Sequence, residues 1–283
     1  MAIQPPTNRN GEPIKEKQCL YGPPGIGKTH QYFTIAKWHQ DLGSDAVFYG
    51  INTDTSYEVL HSNPGFSELD NLVYEQAFDF QDFMNLTRQY KDKMRPQDWL
   101  SVDLHNAAWA AAQDEYARNL VDKRGEQKFD DLGEMWVAEG GTDYPIKGWD
   151  WGVINARYRR YANNLLLTLP GNLLLVCGQR QLMDPTDKMK EKEDPTVRRT
   201  RETFKHIGYA PEGQKEDPFR YHSYLHIDSR DNDTRKQMMS TAKERFGNRR
   251  MWGKKMGNGK VRDEPIEDFF VDYLVNTAGW KMA

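Results

Sequence analysis

The sequence has little cysteine, no long apolar run and no surplus of positive charge. Cys19 and Cys177 are the only thiols, each inside a stretch that reads as a buried strand. Two such residues cannot build a disulfide framework, so free buried thiols in a reducing compartment are expected. No apolar stretch approaches the ~20 residues of a membrane helix. The opening "MAIQPPTNRNGEPIKEKQ" lacks the apolar core of a secretory signal. These absences predict a soluble, cytoplasmic chain with no membrane contact. The formal net charge is −3, which excludes a globally basic surface, so any nucleic-acid contact has to come from local patches. The seven histidines are scattered. His222 and His226, four apart on an expected strand, share a face at a distance, and no zinc set emerges. No G-x-S-x-G is present. At 37% hydrophobic and 29% charged, 283 residues suffice for one sizeable core.

What is there begins with "LYGPPGIGKTH", residues 20–30. Gly22, Gly27, Lys28 and Thr29 match G-x-x-x-x-G-K-[ST], the Walker A pattern. The loop Gly22, Pro23, Pro24, Gly25, Ile26, Gly27, Lys28, Thr29 and His30 is the candidate phosphate cradle. Glycines let successive backbone N–H groups turn inward on an anion. The Lys28 ammonium reaches β and γ phosphates, and the Thr29 hydroxyl suits Mg²⁺. "KQCLYG" before the loop reads as a short buried strand. "THQYFTIAKWHQDLG" after it carries Tyr32, Phe33, Ile35, Ala36 and Trp38 at helical spacing and ends at Gly43. Strand, glycine loop and helix is the context the motif needs, and the helix N-terminus adds its partial positive charge.

Strand-like and helix-like segments then alternate, which predicts an α/β fold with a mainly parallel central sheet flanked by helices. Strands are expected at 45–52, 71–78, 98–104 and 171–179, and helices at 79–94, 105–121 and 151–169. Residues 219–228 and 235–245 alternate around "SRDNDT" as an antiparallel C-terminal hairpin. Residues 264–279 read as a terminal amphipathic helix. The stretches 122–150 and 184–218 are polar and aperiodic, and read as two long loops. The expected organisation is a flexible segment 1–17 followed by a single domain, 18–283.

A nucleotide site needs a carboxylate near Mg²⁺. Asp103 ends "WLSVDL" at the carboxyl end of an expected strand, where ligands bind in open α/β sheets; the alternative is a plain strand-end aspartate capping the next helix. Leu104 and His105 follow it, not the water-activating glutamate that many AAA-type ATPases carry there. A resemblance to RecA-type ATPases, which place that carboxylate at the end of the strand after the first helix, implies "INTDTSYE", with Asp54 first and Glu58 second; a turn or helix cap is the other role for Asp54.

The ordered set "YGPPGIGKT", "INTDTSYE", "WLSVDL", "WGVINARYRR", "LPGNLLLVCGQ", "GYAPEGQKEDPFRYHSYLHI" and "TAKERFGNR" resembles the RecA/KaiC-like P-loop ATPases. More narrowly, it resembles the phage nucleotide-binding proteins that include the Sak-type recombination ATPases. The resemblance implies a RecA-like domain that binds ATP and Mg²⁺, the metal on Thr29 and Asp103. It implies a homo-oligomer with sites between subunits, action on single-stranded DNA, and phage single-strand-binding or replication proteins as partners in an infected bacterial cytoplasm. Gln179 corresponds to a sensor of the γ-phosphate, a task suited to an amide that donates and accepts; the alternative is a buried strand-end glutamine. Lys243 and Arg245, two apart on a strand, share one face and correspond to fingers reaching a neighbour's site, or form a solvated basic face.

The two long loops lie where RecA-like proteins bind DNA. One holds Lys188, Lys190, Arg198, Arg199, Arg201 and Lys205, diluted by Glu191, Glu193, Asp194 and Glu202. The other interleaves Trp136, Tyr144, Trp149 and Trp151 with Lys123, Arg124, Lys128 and Lys147, the make-up of a stacking platform or of ordinary packing. The basic tail 246–262, with Arg249, Arg250, Lys254, Lys255, Lys260 and Arg262, is a third candidate. The competing expectations are a nucleotide-gated assembly protein with slow turnover and a DNA-packaging or unwinding motor subunit. A small-molecule kinase is disfavoured by the lack of an arginine-rich lid.

Overall fold

Short apolar runs become strands and amphipathic runs become helices, in alternation. The computed structural model begins, in chain order, with β1 (Ile3–Gln4), β2 (Lys17–Tyr21), α1 (Lys28–Asp41), β3 (Phe48–Asn52), α2 (Ser56–His61) and β4 (Leu72–Gln76). α3 (Phe80–Lys93), β5 (Trp99–Asp103), α4 (His105–Arg118), α5 (Gly148–Arg159), β6 (Asn172–Cys177) and β7 (Gln179–Gln181) follow. The remainder holds α6 (Pro195–Phe204), β8 (Tyr209–Pro211), β9 (Ser223–Arg230), β10 (Gln237–Glu244), β11 (Lys254–Lys255), β12 (Val261–Arg262), β13 (Glu264–Ile266) and β14 (Lys281–Met282). The structure describes residues 3–119, 129, 131, 134–135, 148–183, 193–230, 237–246 and 249–282.

Eight strands form the central sheet in the order β13-β10-β9-β2-β6-β5-β3-β4. From β4 to β9 all neighbours are parallel. β10 runs antiparallel between β9 and β13, as expected of the late hairpin. The fold is therefore α/β, with a large and mostly parallel sheet flanked by helices. The parallel strands β2, β3, β5 and β6 are buried along their whole length, as a sheet covered on both faces requires, while edge strand β4 alternates.

Period-two alternation sorts the side chains into two cores. Cys19, Tyr21, Ile51, Leu100, Val102, Leu173 and Leu175 face α3, α4, α5 and α6. Leu20, Phe48, Trp99, Leu174 and Leu225 face α1, α2 and the C-terminal segment. α3 starts at Asp79, whose side chain accepts from Asp82 N at 2.9 Å while Asp82 bonds back to the Asp79 backbone, a complete capping box. Phe80, Phe83, Leu86 and Tyr90 then bury one stripe.

Four segments depart from expectation. The stretch 184–218 is not one long loop: Asp194 caps α6 through Thr196 N at 2.7 Å, Pro195 occupies the first turn, and Phe204 is fully buried. Burying that ring contributes about 2–3 kcal/mol, enough to order a helix among charged residues. Gln179 lies beyond β6, in a small ribbon in which β7 pairs with β8. In the C-terminal stretch, β13 takes residues 264–266, and the helical part contracts to a π-turn at Phe270–Val275 with Phe270, Tyr273 and Leu274 buried. The 1–17 segment, expected to be flexible, is tied at two places. β1 pairs with β14, and fully buried Glu16 accepts from Arg249 Nη1 and Nη2 at 2.9 and 2.6 Å. Among the described residues no helix is long and apolar enough to cross a membrane.

Candidate functional site

The site is set by register. Tyr21 at the end of β2 is level with Cys177 on β6, and Asp103 at the end of β5 is level with Val176 on β6. The glycine loop after β2 and the Asp103 carboxylate therefore flank one intervening strand end. Gly22 has no room for a side chain, since a Cβ there would meet Ile227 O at 1.9 Å. Gly27 has φ 94°, a left-handed conformation that lets the loop turn into α1 without a side-chain cap. The first N–H groups of α1 are thus open to an anion. Pro24 and Gly25 are exposed, and Ile26 is buried against the second core. His30 turns its ring edge-on to Phe66 at 5.1 Å.

Lys28 is buried, and its Nζ donates to Gly22 O at 3.0 Å and Pro23 O at 2.7 Å. Burial lowers its pKa, while the Asp103 charge and, more weakly, that of Glu212 act to raise it. Thr29 Oγ1 donates to Asp103 Oδ2 at 2.5 Å. The Asp103 carboxyl is pushed up to about 6, mainly by burial; the nearby Asp54 charge adds to the rise, and the Thr29 bond and Lys28 oppose it. A cation held between Thr29 and Asp103 would favour the ionised carboxylate, so this hydroxyl–carboxylate pair fits Mg²⁺ chemically. The same loop fits a polyphosphate: its carbonyls hold the ammonium that a phosphate oxygen would take.

The β3 end joins this corner through the backbone. Asn52 is level with Asp103, Thr53 N donates to Asp103 O at 2.8 Å, and Thr53 Oγ1 accepts from Leu104 N at 2.9 Å. Asp54 is exposed, and its Oδ1 accepts from Ser56 N at 2.7 Å, a turn that leads into α2, whose N-cap residue is Thr55 and which has no side-chain cap bond. Glu58 is exposed and accepts from Asn52 Nδ2 at 3.1 Å. Of the roles open to Asp54 in the sequence, the turn is the one its geometry displays.

Gln179 stands at the rim, with Oε1 2.7 Å from His226 Nε2. His226 is buried, stacked on Tyr209 at 5.6 Å, and pushed down to about 4, by burial first and Lys28 second, so it is neutral near pH 7. The amide oxygen accepts from this imidazole, leaving the amide N–H groups for another acceptor.

Lys243 and Arg245 lie at the opposite end of the sheet, because β10 runs antiparallel and brings Lys243 level with Tyr224, near the start of β9. Lys243 Nζ donates to Pro218 O at 2.6 Å and lies 5.0 Å from the Phe219 ring centre. Burial lowers its pKa to about 8. Arg245 donates to Phe219 O. Within one chain, the two do not meet the glycine loop.

The basic stretches divide. Lys123, Arg124, Lys128, Trp136, Tyr144, Lys147, Lys188, Lys190 and Glu191 lie outside the described residues. Trp151 stacks on Trp109 at 6.1 Å. Arg201 pairs with Glu193 and Arg198 with Glu202, and Arg199 covers the Phe219 ring. In the tail, Arg249 is buried on Glu16, and Arg250 is bonded to Glu264. Lys254, Lys255, Lys260 and Arg262 are exposed on the β11–β12 ribbon.

Three residues at the site had been given no role. Asn106, in the first turn of α4, accepts from Gly178 N at 3.1 Å and donates to Glu212 Oε2 at 3.2 Å. His226 orients Gln179. Glu212, in "APEGQK", is carried to the rim by the β7–β8 ribbon. Asn106 stands three residues after Asp103, a spacing readable in the sequence; Glu212 has no such local signal, because a fold contact places it. No protein-family model matches this chain, and no curated protein matches it in sequence.

Proposed function

We propose that this chain is a RecA-like P-loop ATPase that acts on single-stranded DNA in phage recombination or replication. The observation that carries the reading is the Thr29 Oγ1–Asp103 Oδ2 contact of 2.5 Å. It joins a Walker A loop to a buried carboxylate at the carboxyl end of a parallel sheet, where nucleotides bind in open α/β folds. Thr29 and Asp103 would hold Mg²⁺, which when bound neutralises phosphate charge. Lys28 exchanges its two loop carbonyls for phosphate oxygens. The N–H groups at the start of α1 supply the rest of the cradle. Gln179 offers its amide N–H groups to the γ-phosphate, with His226 holding the other end of the amide.

Lys243 and Arg245 act in this reading only across a subunit boundary, on the site of a neighbouring copy in a homo-oligomer. The exposed cations of the β11–β12 ribbon are the described basic patch with charge to offer a DNA backbone.

A second reading, a nucleotide-gated assembly protein with slow turnover, is favoured by one observation: Asp54, the first carboxylate expected to activate water, is engaged in a local turn with Ser56 N instead. ATP turnover with and without single-stranded DNA, alongside Lys28→Ala, separates the two. The expected result is turnover that single strands stimulate and Lys28→Ala abolishes. Tight binding of ATP by the parent without turnover selects the assembly protein, and normal turnover in Lys28→Ala removes both readings.

A further inference from the structure

Gly178 follows β6, the strand between the one that delivers the glycine loop and the one that ends at Asp103. It lies in the gap where the terminal phosphate of a bound nucleotide would face. One carboxylate is built over it. Glu212 N donates to Gly178 O at 3.0 Å. Glu212 Oε2 accepts from Asn106 Nδ2 at 3.2 Å, and the same Asn106 accepts from Gly178 N at 3.1 Å. An added Cβ at Gly178 would stand 2.2 Å from Glu212 Oε2, so only glycine lets the carboxylate come this close. The Glu212 charge is felt by both Lys28 and Arg180. Asp54 and Glu58 lie on the other side, beyond β5, at the end of β3 and in α2.

We propose that Glu212, positioned by Asn106 and admitted by Gly178, is the carboxylate that orients and deprotonates the attacking water in the ATP hydrolysis proposed above. The inference rests on that reading and replaces Asp54 and Glu58 in this one role. In the step, the water oxygen forms a bond to the γ-phosphorus, and the bond to the β,γ-bridging oxygen breaks with its electron pair on ADP. The water proton passes to Glu212 and then to the released phosphate. A carboxylate suits this because it accepts the proton while its second oxygen stays bonded to a fixed amide.

The test measures ATP affinity and turnover in the full chain for the parent, Lys28→Ala, Glu212→Gln and Gly178→Ala, with single-stranded DNA present. Glu212→Gln is expected to lower turnover about 100-fold or more while binding ATP as tightly as the parent or more tightly, since a negative charge facing the phosphates is gone. Gly178→Ala, which displaces the carboxylate without altering it, is expected to lose turnover with ATP affinity kept. Parent-like turnover in Glu212→Gln overturns the proposal, most directly if Asp54→Asn abolishes turnover instead. Loss of ATP affinity and thermal stability together with turnover in Glu212→Gln assigns Glu212 a structural role and also overturns it. ATP binding without turnover in the parent removes the role of Glu212 but leaves the nucleotide site standing; no Lys28-dependent binding at all removes the site itself.

Discussion

The two ends of the central sheet both bury charge, and they treat it differently. At the amino end, Glu16 is saturated by two bonds from Arg249, one from Gln18 Nε2 at 2.9 Å and the Trp280 indole N–H at 3.4 Å. At the carboxyl end, the Lys28 ammonium bonds two carbonyls of its own loop. Asp103 takes the Thr29 hydroxyl there, and its pKa is raised. A buried ion pair with its hydrogen bonds complete holds a fold together. The charges at the carboxyl end are instead held apart by neutral partners that are easily exchanged, an arrangement suited to a ligand carrying both anionic and cationic groups. The same sheet thus carries a lock at one end and, in the proposed function, a receptor at the other.

Neutralising the receptor end is the sharpest way to break the comparison. Asp103→Asn is expected to cut Mg²⁺-dependent turnover about 10³-fold, as loss of a charge that acts on the transition state does. Its effect on the ligand-free fold has the opposite sign. The folded pKa of about 6 lies above the ordinary carboxyl value, so the protonated form is favoured in the folded state. That contribution to stability is full at pH below the unfolded value and is lost as pH rises through about 6. Asparagine should therefore stabilise the ligand-free protein by about 1–3 kcal/mol at pH 8, with the gain vanishing near pH 4. Denaturant melts at the two pH values check this, and an Asp103→Asn protein less stable at pH 8 would place Asp103 among the structural charges.

The lock end should respond in reverse. Arg249→Ala leaves Glu16 buried and unpaired, and is expected to cost about 3–5 kcal/mol of stability. ATP affinity of the folded protein should stay at the parent value, because Arg249 lies at the far end of the sheet from Lys28. Joint replacement by Glu16→Leu and Arg249→Met should recover most of the loss, since removing both partners of a buried pair costs far less than removing one. Urea melts of the single and double variants measure it; an additive double variant would show that the pair is not coupled.

The contrast also explains how much of the molecule is legible in its sequence. The receptor end is made of local signals. Gly22 to Thr29 is a contiguous motif, and Asp103 closes an apolar run. The lock end joins residues 16 and 249, and nothing local marks either as a partner of the other. Glu212 has the same difficulty, arriving at the rim through the β7–β8 ribbon. α6 is a different case. Asp194 and Pro195 are a start signal, with Thr200 and Phe204 buried on one side; the density of charges around them masked a short but regular helix. The C-terminal stretch kept its buried aromatic face while its helix contracted, because β13 took the first residues to extend the sheet beside β10.

The smallest expected effect concerns the surface beyond both ends. Lys254 and Lys255 are exposed on β11 and have no ion pair among the described residues, whereas Arg198, Arg201 and Arg250 are each paired. A cation already held by a carboxylate has little left to offer a phosphate, so the ribbon should carry more of the proposed DNA contact than α6. On single strands, each phosphate contact contributes about 0.7 to the slope of log affinity against log salt. Lys254→Ala with Lys255→Ala should therefore flatten that slope by about 1.4. The protein's melting temperature should not move, because neither side chain packs against the core. Arg198→Ala, which only frees Glu202 on the surface of α6, should change the slope by less than half as much. Fluorescence titrations of a labelled oligonucleotide at several salt concentrations give both slopes. An unchanged slope in the double variant would move the DNA path away from the ribbon while leaving the nucleotide site as it stands.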